Sequence, residues 1–185
     1  MNNSWPIPRA QEIEAPRAVF FDWDNTLVKS ADATFQAYNS FLDRIGHKPM
    51  SREEANSRPP HSVRHWFPLT FGLEAPRMID LYYEELSKIH LQSLQPMDGC
   101  EDILDYFAEQ QIPMAVVSNK NGEILRKEIA HLGFDFYFTA AVGCFDTPQD
   151  KPHPGPLFEA LRKSSLSPGL DIWYVGDNAI DYTCA

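Results

Sequence analysis

Four short apolar runs, separated by longer polar and helix-like stretches, are the feature that most constrains how this chain can fold. The runs are residues 18–21, 114–117, 136–142 and 172–175. Short continuous apolar runs are typical of strands that are buried on both faces. Because strands that alternate with helices form crossover units and parallel sheets, we predict an α/β fold, with a parallel sheet and helices on both of its faces.

Helices are indicated near these runs by apolar residues that recur every three or four positions. The recurring residues are Ile103, Leu104 and Phe107 in one segment, Leu125, Ile129 and Leu132 in a second, and Leu157, Phe158 and Leu161 in a third. Gly133 follows the second segment, where glycine commonly ends a helix. Ligands of such sheets bind at the carboxyl ends of the strands, so the residues just after each run are candidates for a site.

A long insertion between the first and second runs shows helical signals but no comparable strand. Apolar residues keep helical spacing over residues 35–45, and residues 78–94 form a second helix-like segment that ends near Pro96. We interpret this stretch as a small α-helical cap inserted after the first strand.

The domain organisation follows from this insertion. We predict a core domain made of residues 17–29 and 97–185, with the cap domain at residues 30–96. Residues 1–16 contain three prolines and no periodicity, which predicts a flexible N-terminal tail.

The charge balance and the cysteines exclude several classes of protein. The chain has 16 Lys and Arg against 26 Asp and Glu, a formal net charge of −10. Nucleic acids and anionic lipids reward clustered basic residues, so we expect neither as a partner. The three cysteines show no disulfide or zinc spacing, and no stretch approaches the roughly 20 apolar residues that span a bilayer. We therefore expect a cytoplasmic protein that binds no membrane.

Two carboxylates, Asp22 and Asp24, directly follow the first apolar run, and Thr26 lies two residues further on. Carboxylates one residue apart beyond a strand can converge and offer a cation hard oxygen ligands. The same pair can divide the work of phosphoryl transfer: one attacks phosphorus, and the other protonates the leaving oxygen and later deprotonates water. The alternative is a solvated turn in which Thr26 starts a helix.

Polar residues also follow the three later runs. Ser118 and Asn119 precede a helix, whose free N–H groups can hold a phosphate. Lys151 lies in a loop that prolines stiffen, and Asp177 and Asp181 offer further carboxylates. Each segment alone has an ordinary alternative: a helix cap, an exposed lysine or an acidic turn. Their occurrence in one order at one edge of a sheet favours a combined phosphate and metal site.

In combination, these segments resemble the haloacid dehalogenase (HAD) superfamily, whose core is a Rossmann-like sheet. The resembling residues are Asp22-x-Asp24-x-Thr26, Ser118, Lys151 and Asp177-x-x-x-Asp181. The resemblance runs from about Ala18 to the end of the chain, and the four motifs are specific as a set.

The resemblance implies a role for each of these residues. Asp22 would be the nucleophile that forms an aspartyl-phosphate, and Asp24 would act as acid and then as base. Mg²⁺ would be bound by Asp22, the backbone carbonyl of Asp24, Asp177 and Asp181, the last directly or through water. The phosphate contacts would come from Thr26, Ser118, Asn119 and Lys151.

Further features narrow the resemblance to one branch of the superfamily. Dehalogenases and phosphonate-cleaving relatives generally lack a carboxylate at the position of Asp24. The insertion resembles the helical cap of the phosphoglycolate phosphatase and β-phosphoglucomutase branch, and residues 117–120 and 151–157 resemble phosphoglycolate phosphatases most. The implied function is a Mg²⁺-dependent phosphatase for a small phosphorylated metabolite, acting as a monomer or homodimer. A phosphomutase and a non-catalytic binding module stay open as alternatives.

The chain departs from the usual family pattern in three places. Asn25 stands where the family usually has Gly and Lys29 where Asp is frequent, but Asn tolerates left-handed backbone, so the turn is expected to form. Relatives usually continue beyond the fourth motif with a helix and another strand. The strand at 172–175 would then lie at an unprotected edge, with its neighbouring strand missing. We therefore expect either that the chain is a fragment of a longer protein or that something else covers this edge.

The cap contains basic and aromatic residues that are candidates for contacts with the substrate. Arg58 and Arg64 could bind a carboxylate or a second phosphate, and Trp66 and Phe67 could exclude water from the reaction. Ordinary packing and surface solubility account for these residues equally well.

Overall fold

The computed structural model describes residues 14–57 and 61–185. Its main sheet has four parallel strands in the order β5-β4-β1-β6. These strands are β1 (Ala18–Phe21), β4 (Met114–Asn121), β5 (Phe138–Cys144) and β6 (Ile172–Val175), while β2 (Val28–Lys29) and β3 (Gln95–Pro96) form a separate antiparallel pair. The helices are α1 (Ala31–Arg44), α2 (Arg52–Asn56), α3 (Val63–Phe71), α4 (Ala75–Ile89), α5 (Cys100–Glu109), α6 (Gly122–Leu132), α7 (Gly155–Lys163) and α8 (Ala179–Cys184).

The sheet is covered on both faces, which confirms the α/β prediction. Val19 and Phe21 of β1 point to the face that packs against α5 and α6, whereas Phe20 lies in the cluster with Ala160 and Leu161 of α7. This division follows from the two-residue period of a strand, which sends successive side chains to opposite faces. Because both faces are buried, only the strand ends and the outer edges can meet a ligand.

The helices α1 to α4 lie between β2 and β3 and share an apolar cluster of their own. Phe41 and Phe67 stack with ring centroids 5.6 Å apart, and Tyr82 lies within 6.2 Å of both. Because β2 precedes the four helices and β3 follows them, their pairing places the segment that leaves the core next to the segment that returns to it. All four helices fall inside the predicted insertion, and Ile124 of α6 joins their cluster next to the end of β4.

Several boundaries differ from the prediction for local reasons. The strand β4 continues to Asn121 because its last residue pairs with Cys144 of β5 after a shift in register. The strand β5 begins two residues later than predicted because Asp135–Tyr137 forms a 3-10 turn. The helix α4 ends at Ile89, several residues before the predicted end of that segment.

Further features of the described residues concern the turn after β1, the β6 edge and the cysteines. Asn25 adopts left-handed backbone with φ of 60°, as predicted for the turn after β1. At the β6 edge, Trp173 and Val175 are 36% and 40% exposed. The three cysteines are buried and form no disulfide. Within the described ranges, no helix has the length and apolarity to cross a membrane.

Candidate active site

Polar residues at or beyond the carboxyl ends of the four main strands meet at one edge of the sheet, as predicted. Asp22, Ser118, Lys151 and Asp177 line one cavity, which the helical insertion covers from the other side. Parallel strands bring their carboxyl ends to one edge, so residues far apart in the sequence become neighbours. The predicted gathering of a hydroxyl, an ammonium and carboxylates around one cavity is therefore present.

Lys151 is the central cation of this site. Its side chain is 2% exposed, and its Nζ lies 2.7 Å from Asp22 Oδ1 and 2.6 Å from Asp181 Oδ1. It also donates a hydrogen bond of 2.9 Å to the hydroxyl of Tyr174. Burial alone would lower the pKa of Lys151, but the two carboxylates reverse this and raise the pKa above its ordinary value. Lys151 is therefore charged and held in a fixed position beside Asp22.

Burial disfavours the charged form of two carboxylates of the site. Burial raises the pKa of Asp22 to about 6, although Lys151 acts in the opposite direction. Burial and the neighbouring Asp181 also raise the pKa of Asp177. Lys151 alone does not compensate for this concentration of negative charge, so a further cation would be favoured here.

The same carboxylates fit a divalent metal. Asp22, Asp177 and Asp181 each offer an oxygen, and these atoms lie within 4.8 Å of one another. Hard carboxylate oxygens are the ligands that Mg²⁺ prefers. Asp181 is also engaged otherwise, since its Oδ2 accepts the backbone N–H of Asn178 at 3.1 Å and its Oδ1 accepts Lys151. A side chain on Gly176 would collide with Asp181, so glycine allows this carboxylate its place.

The residues predicted to contact phosphate differ in whether they line the cavity and in what they bond. Ser118 lines the cavity, and its Oγ accepts the backbone N–H of Lys120 at 3.2 Å. Asn119 also lines the cavity, but its amide bonds the backbone of Lys151 in both directions, at 3.0 and 3.1 Å, and so positions that loop. Thr26 does not line the cavity: its Oγ1 is buried and has no hydrogen-bond partner among the described residues.

Arg64, which was predicted to contact the substrate, forms hydrogen bonds with a loop of the core. Its guanidinium bonds Asp150 at 2.8 and 3.1 Å and the carbonyl of Thr147 at 3.0 and 3.1 Å. Arg64 does not line the cavity and instead joins α3 to the loop that precedes Lys151. The other predicted substrate residue, Arg58, lies outside the described residues.

Of the two aromatic residues predicted to exclude water, only Trp66 lines the cavity. Phe67 is fully buried in the apolar cluster of the insertion. Arg52 and His61 also line the cavity. The guanidinium carbon of Arg52 lies 4.1 Å from the centroid of the Phe35 ring.

Sequence reasoning missed three residues that contact the site directly or through one neighbour. Tyr174 bonds Lys151, Lys120 lies 2.6 Å from Asp24 Oδ1, and Glu128 lies 2.7 Å from Lys120. A signal existed for Glu128, because it lies one turn after Ile124 and Leu125, on the buried face of α6. An acidic residue on the apolar face of a helix needs a buried partner.

Comparison with known proteins identifies the family. The family model described as haloacid dehalogenase-like hydrolase matches residues 19–185. The chain therefore belongs to the haloacid dehalogenase-like hydrolases, and the predicted family and enzyme class are confirmed.

Individual relatives are similar over most of this chain. A phosphoglycolate phosphatase of Rhodobacter capsulatus is 31% identical over 89% of this chain and 77% of its own length. A phosphoglycolate phosphatase of Pseudomonas fluorescens is 28% identical over 93% of this chain and 66% of its own length.

Solved structures agree with this assignment. A HAD-superfamily hydrolase from Ehrlichia chaffeensis is 31% identical, with a TM-score of 0.62, over 93% of this chain and 83% of that chain. A HAD-superfamily hydrolase from Geobacter sulfurreducens, 22% identical over 92% of this chain and 84% of that chain, has a TM-score of 0.72 and supports the fold.

Proposed function

We propose that this chain is a Mg²⁺-dependent phosphatase that hydrolyses a small phosphate monoester through an aspartyl-phosphate at Asp22. The observation that carries the proposal is the contact between the Lys151 ammonium and Asp22, in a cavity that Asp24 and Ser118 also line. An anionic ester needs positive charge next to a carboxylate nucleophile, and Lys151 supplies it. The relatives are named phosphoglycolate phosphatases, which favours a small phosphorylated acid as the substrate.

In the first step, an Asp22 oxygen forms a bond to phosphorus while the bond from phosphorus to the ester oxygen breaks. Lys151 and the Ser118 hydroxyl hold the oxygens of the transferring group. Asp24, in its protonated form, gives its proton to the departing alcohol oxygen. A bound Mg²⁺, held by Asp22, Asp177 and the carbonyl of Asp24, would neutralise phosphate charge.

In the second step, water attacks the phosphorus of the Asp22 acyl phosphate. Asp24 is now ionised and takes the proton of that water. The bond between Asp22 and phosphorus breaks, inorganic phosphate leaves, and both carboxyl groups return to their starting states. Tyr174 and Asp181 keep Lys151 at the site throughout, since both bond its ammonium.

The test is the release of inorganic phosphate from a panel of phosphate monoesters that includes phosphoglycolate. We expect turnover with Mg²⁺ and a loss of at least about 100-fold with excess chelator, because the metal contributes several kcal/mol of charge stabilisation. A calcium-substituted sample serves as the control for ionic strength. Turnover that survives chelation would contradict the proposal, as would a requirement for a sugar bisphosphate primer, which would indicate a phosphomutase. Absence of turnover on every ester would favour the binding module.

A second prediction concerns pH and metal binding. In the metal-free protein, burial raises the pKa of Asp22 from 3.8 to about 6, so the folded protein holds the proton of this carboxyl group more tightly than the unfolded chain does. This tighter proton binding stabilises the folded protein. The stabilisation is fully present below pH 3.8 and is lost as the pH rises through about 6. Mg²⁺ binds the ionised carboxylate, so we expect it to raise the thermal unfolding midpoint little near pH ~5 and clearly more near pH ~7.5.

The measurement is thermal unfolding at both pH values, with and without millimolar Mg²⁺. The Asp22→Asn variant is the control, because it lacks the titrating group. An equal Mg²⁺ effect at both pH values in the wild-type protein would show that Asp22 does not couple proton and metal binding.

A further inference from the structure

A buried ionic cluster lies next to Asp24 and combines two residues of the strand-end segments with two residues from helical parts of the chain. It consists of Trp23, His90, Lys120 and Glu128, and we call it the Glu128 cluster. Glu128 on α6 is 1% exposed and Lys120 at the end of β4 is 8% exposed. Burying charges of this kind is costly unless each has well-placed partners, so their geometry is informative.

Glu128 has a partner for each of its carboxylate oxygens. Lys120 Nζ donates to both, at 2.9 Å to Oε1 and 2.7 Å to Oε2. Trp23 Nε1 donates to Oε2 at 2.6 Å, and the His90 Nδ1 lies 2.9 Å from Oε1. With both oxygens engaged, the carboxylate cannot turn without breaking several hydrogen bonds. Glu128 therefore fixes the ammonium of Lys120 in place.

Lys120 has one further partner, which lies in the site. Its Nζ is 2.6 Å from Asp24 Oδ1. Trp23, which is fully buried, separates Asp22 from Asp24 in the sequence and is bonded to the same Glu128. The cluster thus holds the Asp24 carboxylate through Lys120 and the backbone next to Asp24 through Trp23.

The cluster also reaches the helical insertion. His90 directly follows α4, the last helix before the chain returns to the core through β3, and it is 3% exposed. Its bond to Glu128 ties the end of that helix to the carboxylate that anchors Lys120.

We propose that Lys120, anchored by Glu128, is a positioning residue that orients the Asp24 carboxylate for proton transfer to the leaving group. The proposal rests on the proposed function, in which Asp24 gives a proton to the departing alcohol. Asp24 Oδ1 is buried beside the Lys120 ammonium, whereas the Asp24 side chain as a whole is 29% exposed and lines the cavity, so its other oxygen is available to the leaving group. A cluster that only stabilised the core would not distinguish between leaving groups.

The test compares two esters in the Lys120→Met variant. Phosphoglycolate has an alkoxide leaving group that requires protonation, whereas p-nitrophenyl phosphate releases a stable phenolate that does not. The ratio kcat/KM covers the steps up to departure of the leaving group and excludes the later attack by water. We expect kcat/KM to fall on the order of 100-fold for phosphoglycolate and less than about 3-fold for p-nitrophenyl phosphate. The Glu128→Gln variant is expected to show the same selectivity with a smaller loss.

Two exposed residues of α6 supply matched controls, namely Lys127→Met and Glu123→Gln. Both are expected to leave the two kcat/KM values unchanged. If Lys120→Met fails to fold, the double variant Lys120→Met with Glu128→Gln removes both buried charges and replaces it. Equal losses on the two esters, or no loss on either, would overturn the positioning role.

A crystal structure of the Lys120→Met variant gives a readout that does not depend on turnover. We expect the Asp24 carboxylate to leave its wild-type orientation, and an unchanged Asp24 would overturn the proposal. Failure of the proposed function looks different, because wild-type hydrolysis would then persist in the Asp22→Asn variant for both esters. In that case the orientation of Asp24 in the crystal decides the positioning role by itself.

Discussion

Asp22→Asn is expected to lower kcat for phosphate release by about 10⁴-fold or more, because the amide cannot form the covalent intermediate. The substitution keeps the shape of the side chain, and Lys151 retains its bonds to Asp181 and Tyr174. The fold is therefore expected to remain intact. The measurement is steady-state phosphate release with Mg²⁺, together with circular dichroism to verify the fold. Residual kcat above about 1% of the wild-type value would exclude Asp22 as the nucleophile.

The Asp24→Asn variant separates the two steps of the same reaction. Its amide cannot take a proton from water, so we expect a burst of p-nitrophenol followed by slow turnover as the phosphorylated enzyme accumulates. Asp43→Asn, on the exposed surface of α1, is the matched control and is expected to behave as wild type. A linear time course without a burst in Asp24→Asn would show that this residue does not act in the second step.

Lys151→Met is expected to have the largest effect on stability, lowering the free energy of unfolding of the metal-free protein by about 3–5 kcal/mol. The substitution leaves Asp22 and Asp181 buried without the ammonium that lies 2.7 and 2.6 Å from them. Mg²⁺ is expected to restore part of this loss, because a cation at the same carboxylates offsets the same repulsion. Phosphatase activity should remain low even with Mg²⁺, since the phosphoryl group has lost its positive contact.

Urea unfolding with and without Mg²⁺ measures the effect of Lys151→Met. Lys163→Met, at the end of α7 with a partly exposed side chain, is the matched control and is expected to change stability by less than about 0.5 kcal/mol. A Lys151→Met variant as stable as the control would show that Lys151 does not compensate the buried carboxylates. A Mg²⁺ effect no larger than in the wild type would argue against a cation at these carboxylates.

The position of the carboxylates after β1 and the sheet itself were predictable because their signals are local. The strands correspond to short continuous apolar runs, and Asp22 comes directly after β1. The length of β4 was less predictable, because Asn121 belongs to the strand only through its pairing with Cys144 in β5. The role of Arg64 was not predictable either, since its partner Asp150 is 86 residues away.

The amino-acid sequence alone determined the alternation of strands and helices and the order in which Asp22, Ser118, Lys151 and Asp177 reach one edge of the sheet. This is because apolar runs and helical spacing are set by nearby residues, and strands that alternate with helices form parallel sheets whose carboxyl ends share one edge. Tertiary structure alone decided which partner each buried charge meets. Glu128 meets Trp23 across 105 residues, and Lys151 meets Asp22 across 129. Such pairs form because a buried charge requires a partner within hydrogen-bond distance, and only the folded chain establishes which residue lies there.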